Sequence, residues 1–323
     1  MHYNQNPSTI HSAATPFYAG LFTRSDGGSL VFEGVLDLDR DSYLVGHLVH
    51  GRPTLPGTFV LEMAAEAARH LVTDQVVVAF DTVLCRRLLR LHPVRKTAPF
   101  RIVARLLESS PSRSRVNIRV TSDLRAPSGK VLRADQVHFE LNVVMAASGA
   151  PAARWTQPWP RMAREVPDPY LSDNPALKLS QAFDTLRETS VHDNWGMATL
   201  RLPAEAMGKP FTRFTVPVLM LDGLARTSVL ALTRDGYSPL VALSSIGTVE
   251  IHCGNDSDLV GSEPIRLVSR RENTNGGDYR CAAVTGDGTV LATMRGVTGT
   301  LVGYVHQDTG SFVAPAKITQ ATA

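Results

Sequence analysis

The sequence predicts an α+β chain made of two tandem copies of one unit, each an antiparallel sheet wrapped around a single buried helix. Three observations predict it. Two segments that open at a proline, FVLEMAAEAARHLV after Leu55-Pro56 and VLMLDGLARTSVLAL after Val216-Pro217, are apolar on nearly every side, the pattern of helices without a solvent face. Each is followed by β-branched, alternating runs such as VNIRVTSDL and YRCAAVTGD, which read as half-buried strands. Order and spacing then repeat: the two helix-opening prolines, Pro56 and Pro217, are 217 − 56 = 161 residues apart, and the two glycine turns leading into Val-Leu, Gly129 and Gly288, are 288 − 129 = 159 apart.

Taken in order, the first unit occupies residues 1–145: a strand over Ser29–Leu38, a loop, the helix after Pro56 and the strands that follow. Residues 146–179 read as a linker, because the stretch from Ala146 to Pro175 is rich in Pro, Ala and small polar residues and keeps no period of 2 or 3.6. The second unit, residues 180–305, repeats the order with a strand over Met197–Leu202, a loop and the helix after Pro217, and residues 306–323 form a tail.

Composition narrows the function classes. With 323 residues, 43% hydrophobic and 20% charged, the chain has material for a sizeable core. The net charge of +3 is spread along the chain, so no dedicated nucleic-acid surface is expected. Three cysteines, Cys85, Cys253 and Cys281, stand without a CxxC pair; we expect a reducing compartment and neither a disulfide framework nor a metal site. The opening MHYNQNPSTIHSAATPF lacks the charged and apolar regions of a signal peptide, and no run of eighteen apolar residues occurs. A cytoplasmic protein off the membrane is expected, and no Gly-rich phosphate loop suggests a nucleotide.

The loop of the first unit reads GHLVHGRPTLPGTF, which places His47, Gly51 and Pro56 in the pattern HxxxGxxxxP, continuing as Pro-Gly-Thr with Glu62 beyond. A neutral imidazole suits removal of a weakly acidic proton near neutral pH. A glycine lets a backbone N–H approach an oxygen that gains negative charge, a helix opening after Pro56 adds its dipole, and Pro53 and Pro56 stiffen the loop. Read singly, His47 is also an ordinary polar loop residue, with His50 a competitor three positions on; the glycine at plus four selects His47.

The run resembles the signature of dehydratase domains of polyketide and fatty-acid synthases, over residues 30–145 and in part over 180–303. The resemblance implies a double-hotdog fold and removal of water from a 3-hydroxyacyl thioester. It implies His47 as base, Gly51 and Pro56 at the substrate, and no cofactor beyond the phosphopantetheine that carries the acyl group. The implied partners are an acyl carrier protein or other synthase domains, and a homodimer fits the same picture.

The duplication says where to seek the acid that protonates the departing hydroxyl. Glu62 stands six residues after Pro56, and Asp222 five after Pro217. The second unit has no histidine near position 208, so Glu62 is expected to face no partner, and the working pair is His47 with Asp222. The resemblance agrees, implying an acid from an Asp-x-x-x-Gln or Asp-x-x-x-His pattern. An Asp in the first turns of a helix also serves the helix dipole, but the apolar VPVLMLDGLA around Asp222 suits a carboxyl that must hold a proton. Position 226, Gln or His in the pattern, is Arg226 here. An arginine there either pairs with Asp222 at i, i+4 or turns away from it or onto the substrate; we take the second reading and count Arg226 as substrate-binding. Of the family's Tyr-Gly-Pro-x-Phe motif, Leu179-Ser-Gln-Ala-Phe183 keeps the phenylalanine.

The basic run Arg86, Arg87, Arg90, Arg95 and Lys96 reads as a solvated face or as a greeting surface for an acidic carrier. Trp155 and Trp195 read as packing residues. The same histidine and aspartate would also serve a product-template-like cyclase or an isomerase. Pro-Gly-Thr favours the dehydratase, and a catalytically silent module is the remaining alternative.

Overall fold

A computed structural model of the chain describes residues 18, 22–25, 29–126, 128–160, 163–175, 177–234, 236–261, 264–272 and 278–315. The N-terminal stretch read as carrying no leader, and residues 316–323 of the tail, lie outside the described residues.

The first unit runs β1 (Phe22–Ser25), β2 (Ser29–Asp37), the short β3 (His47–Val49) and β4 (Arg52–Pro53), helix α1 (Val60–Leu71), then β5 (Val76–Cys85), β6 (Thr97–Ser109), β7 (Arg113–Arg125) and β8 (Val131–Ala146). After β9 (Arg164–Glu165) and β10 (Leu177–Leu179), the second runs β11 (Leu186–His192), β12 (Trp195–Leu200), α2 (Val218–Leu230), β13 (Tyr237–Ile251), the one-turn α3 (Asp256–Leu259), β14 (Ile265–Arg271), β15 (Tyr279–Val284), β16 (Val290–His306) and β17 (Phe312–Val313). Gly129 and Gly288, the two turn glycines of the repeat, both lie at φ +86°, a left-handed conformation that favours glycine.

All strands but three form one antiparallel sheet in the order β1-β2-β6-β7-β8-β5-β13-β16-β15-β14-β12-β11-β9, with β17 on β16. Read outward from the middle, β5-β8-β7-β6-β2 on one side matches β13-β16-β15-β14-β12 on the other. The halves join edge to edge where Ile246 pairs with Val83 and Val249 with Phe80, which leaves neither central edge open. α1 packs against β2, β5, β6, β7 and β8, and α2 against β11, β12, β14, β15 and β16. One hydrophobic core runs through both halves. This is the tandem arrangement expected from the sequence.

Both helices begin at their prolines, α1 through a 3-10 turn at Gly57–Phe59. α2 is buried along its length except at Ala225, whereas the last turn of α1 reaches solvent with Arg69. β12 approaches α2 closely enough that a Cβ on Gly196 would stand 2.1 Å from the Thr227 carbonyl oxygen. The first turn of α2 has no cap of its own, since Pro217 stands there. Asp256 of α3 supplies one, accepting the N–H of Leu219 at 2.8 Å and of Met220 at 2.9 Å.

The segment read as a linker is docked rather than free. β9 pairs with β11, and β10 pairs with β3 so that Leu179 faces His47. Trp155 stacks on Trp159 with centroids 5.2 Å apart and meets Trp195 edge-on, packed with Val268 and Val290. Aperiodic, proline-rich sequence hid this because short strands that fill a groove need no amphipathic period. Among the described residues no helix is long and apolar enough to cross a membrane.

Candidate active site

β3 and β4 form a hairpin, Leu48 opposite Pro53 and Val49 opposite Arg52. Its two turn residues, His50 at φ +50° and Gly51 at φ +70°, have the paired positive φ of a type I′ turn. The hairpin and β10 fix His47 at the start of β3. Its imidazole is 6% exposed, Nδ1 lies 2.8 Å from the Thr54 carbonyl oxygen, and the ring sits 5.3 Å from that of Phe183. A carbonyl accepts only, so Nδ1 carries the proton and Nε2 keeps its lone pair. Burial holds the His47 pKa below its ordinary value, against the opposing pull of the nearby Asp222 charge.

A cavity of about 460 Å³ opens beside it. Its wall takes His47, Val49, Leu55 and Thr58 from the first half and Asp222, Val229, Leu240 and Leu243 from the second. His47 and Asp222 thus line one cavity from opposite halves. His50 also reaches the wall, but from the exposed turn. Arg90, from the basic run, lines the cavity as well.

Three sequence expectations change. Gly51 is not on the cavity wall; it is exposed at the hairpin tip, and an added Cβ would find nothing within 4 Å. Its glycine answers to φ, not to close approach of a substrate. Pro56 is buried behind the wall, where its neighbours Leu55 and Gly57 line the cavity. The helix N-terminus facing the cavity is therefore presented by Gly57 and Thr58. Thr58 is 2% exposed, and its hydroxyl has no hydrogen-bond partner among the described residues. The quoted Pro-Gly-Thr already contained the signal.

Arg226 does not turn away from Asp222. It lines the cavity with its Nε 3.4 Å from Asp222 Oδ2. It does not form a bidentate pair with that residue either. Nη1 donates to Asp168 Oδ2 at 3.1 Å and Nη2 to Thr185 Oγ1 at 2.7 Å. Neither Asp168 nor the nearby Tyr170, which also lines the cavity, belongs to a pattern visible in the sequence.

Among the described residues Glu62 has no base among its hydrogen-bond partners, and it is held instead by backbone donors. It is fully buried and accepts the N–H of Thr215 at 3.0 Å and of Val216 at 2.8 Å, in the run that enters α2. Burial and the neighbouring Glu66 raise its pKa. Elsewhere in the core Tyr18, Tyr43, Phe59, Phe211 and Phe214 form a set of ring contacts.

Residues 20–122 match the family model described as the polyketide synthase dehydratase domain. No curated protein matches the chain. The dehydratase domain from the CurF module of curacin polyketide synthase is similar in structure with a TM-score of 0.70 at 16% identity, over 88% of this chain and 98% of that one. An inactive aspartate-to-asparagine mutant of the CurK dehydratase gives 0.65 at 16%, over 90% and 97%. The bifunctional dehydratase-cyclase domain of ambruticin biosynthesis gives 0.59 at 18%, over 88% and 96%. The family match covers residues 20–122, and over the whole chain the likeness is one of fold: the chain has the double-hotdog fold of these dehydratase domains.

Proposed function

We propose that the chain removes water from a 3-hydroxyacyl thioester held on the phosphopantetheine of an acyl carrier protein. His47 Nε2 takes the α-proton, the electron pair forms the α,β double bond, the β C–O bond breaks, and Asp222 gives its proton to the departing hydroxyl. The products are an enoyl thioester and water. The reaction is redox-neutral, and its two proton transfers need no group beyond these side chains. Negative charge gathering on the thioester oxygen meets the N-terminus of α1 at Gly57 and Thr58, in the place first assigned to Gly51.

One observation carries the reading: His47 and Asp222 converge from opposite halves on one largely apolar cavity, with Nδ1 of His47 already committed to Thr54. The inactivity of the CurK aspartate-to-asparagine mutant is in keeping with an essential acid in a domain of this fold. The test is incubation with a 3-hydroxyacyl pantetheine thioester, followed by mass spectrometry for loss of one water. An unchanged substrate at high enzyme concentration refutes the reading. The likeness to a dehydratase-cyclase gives a second reading, in which an enoyl product bearing a further hydroxyl closes to a ring; the same assay detects it as a product isomer of altered retention.

A further inference from the structure

Arg226 is where this chain leaves the Asp-x-x-x-Gln or Asp-x-x-x-His pattern. A guanidinium 6% exposed needs a counter-charge and acceptors for its donors. Placed one turn from Asp222 with nothing else nearby, it would close on that carboxylate with two parallel hydrogen bonds, the geometry arginine favours. It does not do so here. Both Nη atoms are engaged elsewhere, and Nε, 3.4 Å from Asp222 Oδ2, makes no hydrogen bond to it.

The competing carboxylate is Asp168. Its side chain is 5% exposed, Oδ2 accepts from Arg226 Nη1, and Oδ1 accepts the Tyr170 N–H at 3.0 Å. It comes from the segment between the two units, which is docked on the second unit through β9 and on the first through β10. We infer that Asp168 is a positioning residue for the candidate acid: it neutralises Arg226 and draws its donors away from Asp222, so that Asp168 and Arg226 together replace the neutral partner of the related pattern. Asp168 and Arg226 form a neutral pair by themselves. Asp222 is therefore not required as the main counter-ion of the buried cation: Oδ2 stands 3.4 Å from Nε without a hydrogen bond, and Asp222 lines the cavity. Thr185, taking Nη2, fixes the plane of the guanidinium so that only Nε is turned to Asp222.

This rests on the dehydratase reading, and the test separates the two. Four proteins are compared: wild type, Asp168→Asn, Arg226→Gln and the double variant, each assayed for water loss and for urea unfolding. Asp168→Asn frees Arg226 to close on Asp222, and kcat should fall by about tenfold or more with KM within about threefold. Arg226→Gln alone strands the buried Asp168 and should unfold at lower urea. The double variant, which restores an Asp-x-x-x-Gln pattern and leaves no buried charge unpaired, should recover kcat to within about threefold of wild type. A merely structural Asp168 would give no recovery. Wild-type kcat in Asp168→Asn, or a double variant no faster than the slower single one, overturns the inference. An inert wild type refutes the dehydratase reading, and the unfolding midpoints then decide the pair: a double variant more stable than either single one supports it, and additive losses overturn it.

Discussion

Replacing Gly51 separates two tasks a motif glycine performs. If its N–H serves the thioester oxygen, as the sequence suggests, an added side chain obstructs the substrate. In the structure it sits at the exposed tip of the β3–β4 hairpin at φ +70°, with nothing within 4 Å of an added Cβ. Only backbone conformation is then at stake, and a non-glycine residue in that region costs roughly 1–2 kcal/mol, less for asparagine. His47 is held apart from the tip, by Thr54 through Nδ1 and by pairing with Leu179, so turn strain should not reach the imidazole. Gly51→Ala should therefore lose about 1 kcal/mol of stability, Gly51→Asn less, and both should keep kcat within about threefold. Calorimetry and steady-state turnover of the pantetheine thioester measure the two effects. A fall in kcat of about a hundredfold in both variants at near-unchanged melting would refute the reasoning and return Gly51 to the oxyanion.

His47→Ala should lower kcat by about 10²–10⁴-fold while His50→Ala stays close to wild type. Because burial lowers the His47 pKa, kcat/KM should fall only as pH drops below the usual histidine value of about 6.5; a limb well above that value would contradict it. Asp222→Asn should abolish water loss. Glu62→Gln should keep turnover but lose about 1–3 kcal/mol in urea unfolding, because an amide NH₂ faces the N–H donors of Thr215 and Val216; equal loss of activity from both substitutions would contradict a single site. Asp256 is buried with its pKa raised to about 7 by desolvation, so the folded state holds its proton more tightly than the unfolded chain. That contribution to stability is present below about pH 4 and lost as pH rises through 7. Wild-type melting should fall from pH 5 to 8 more steeply than that of Asp256→Asn, and parallel curves would count against it.

What was legible in the sequence was whatever repeats or whatever a period betrays. The helices from Pro56 and Pro217 showed through apolar faces, and β7 and β15 through alternation, because each must bury one defined surface. The pairing of β5 with β13 was not legible: Phe80, Val83, Ile246 and Val249 would look the same at any sheet position, and register between distant strands leaves no local trace. Of the candidate site, His47 and Asp222 could be singled out because chemistry limits the residue types. The turn role of Gly51 could not, since a plus-four glycine fits a substrate contact and a turn alike and only the observed φ of +70° assigns it to the turn. Asp168 lay in aperiodic, proline-rich sequence, where a carboxylate suggests nothing until the fold puts it 3.1 Å from Arg226.

A duplicated fold with one candidate site raises the question of what the other carboxylate does. Glu62 is the near-equivalent of Asp222, yet it points to the chain that enters α2 and fastens Thr215 and Val216. Asp256 then caps the first turn of α2 at Leu219 and Met220. One turn beyond Asp222, Arg226 is tied to Asp168 and Thr185. Three buried carboxylates from three separate elements thus fix the entry, the first turn and the middle of the helix that carries the candidate acid. Each bond is buried, so leaving its partner unpaired is costly. On the proposed reading the first unit contributes the candidate base and the second the candidate acid, so neither half is expected to act without the other.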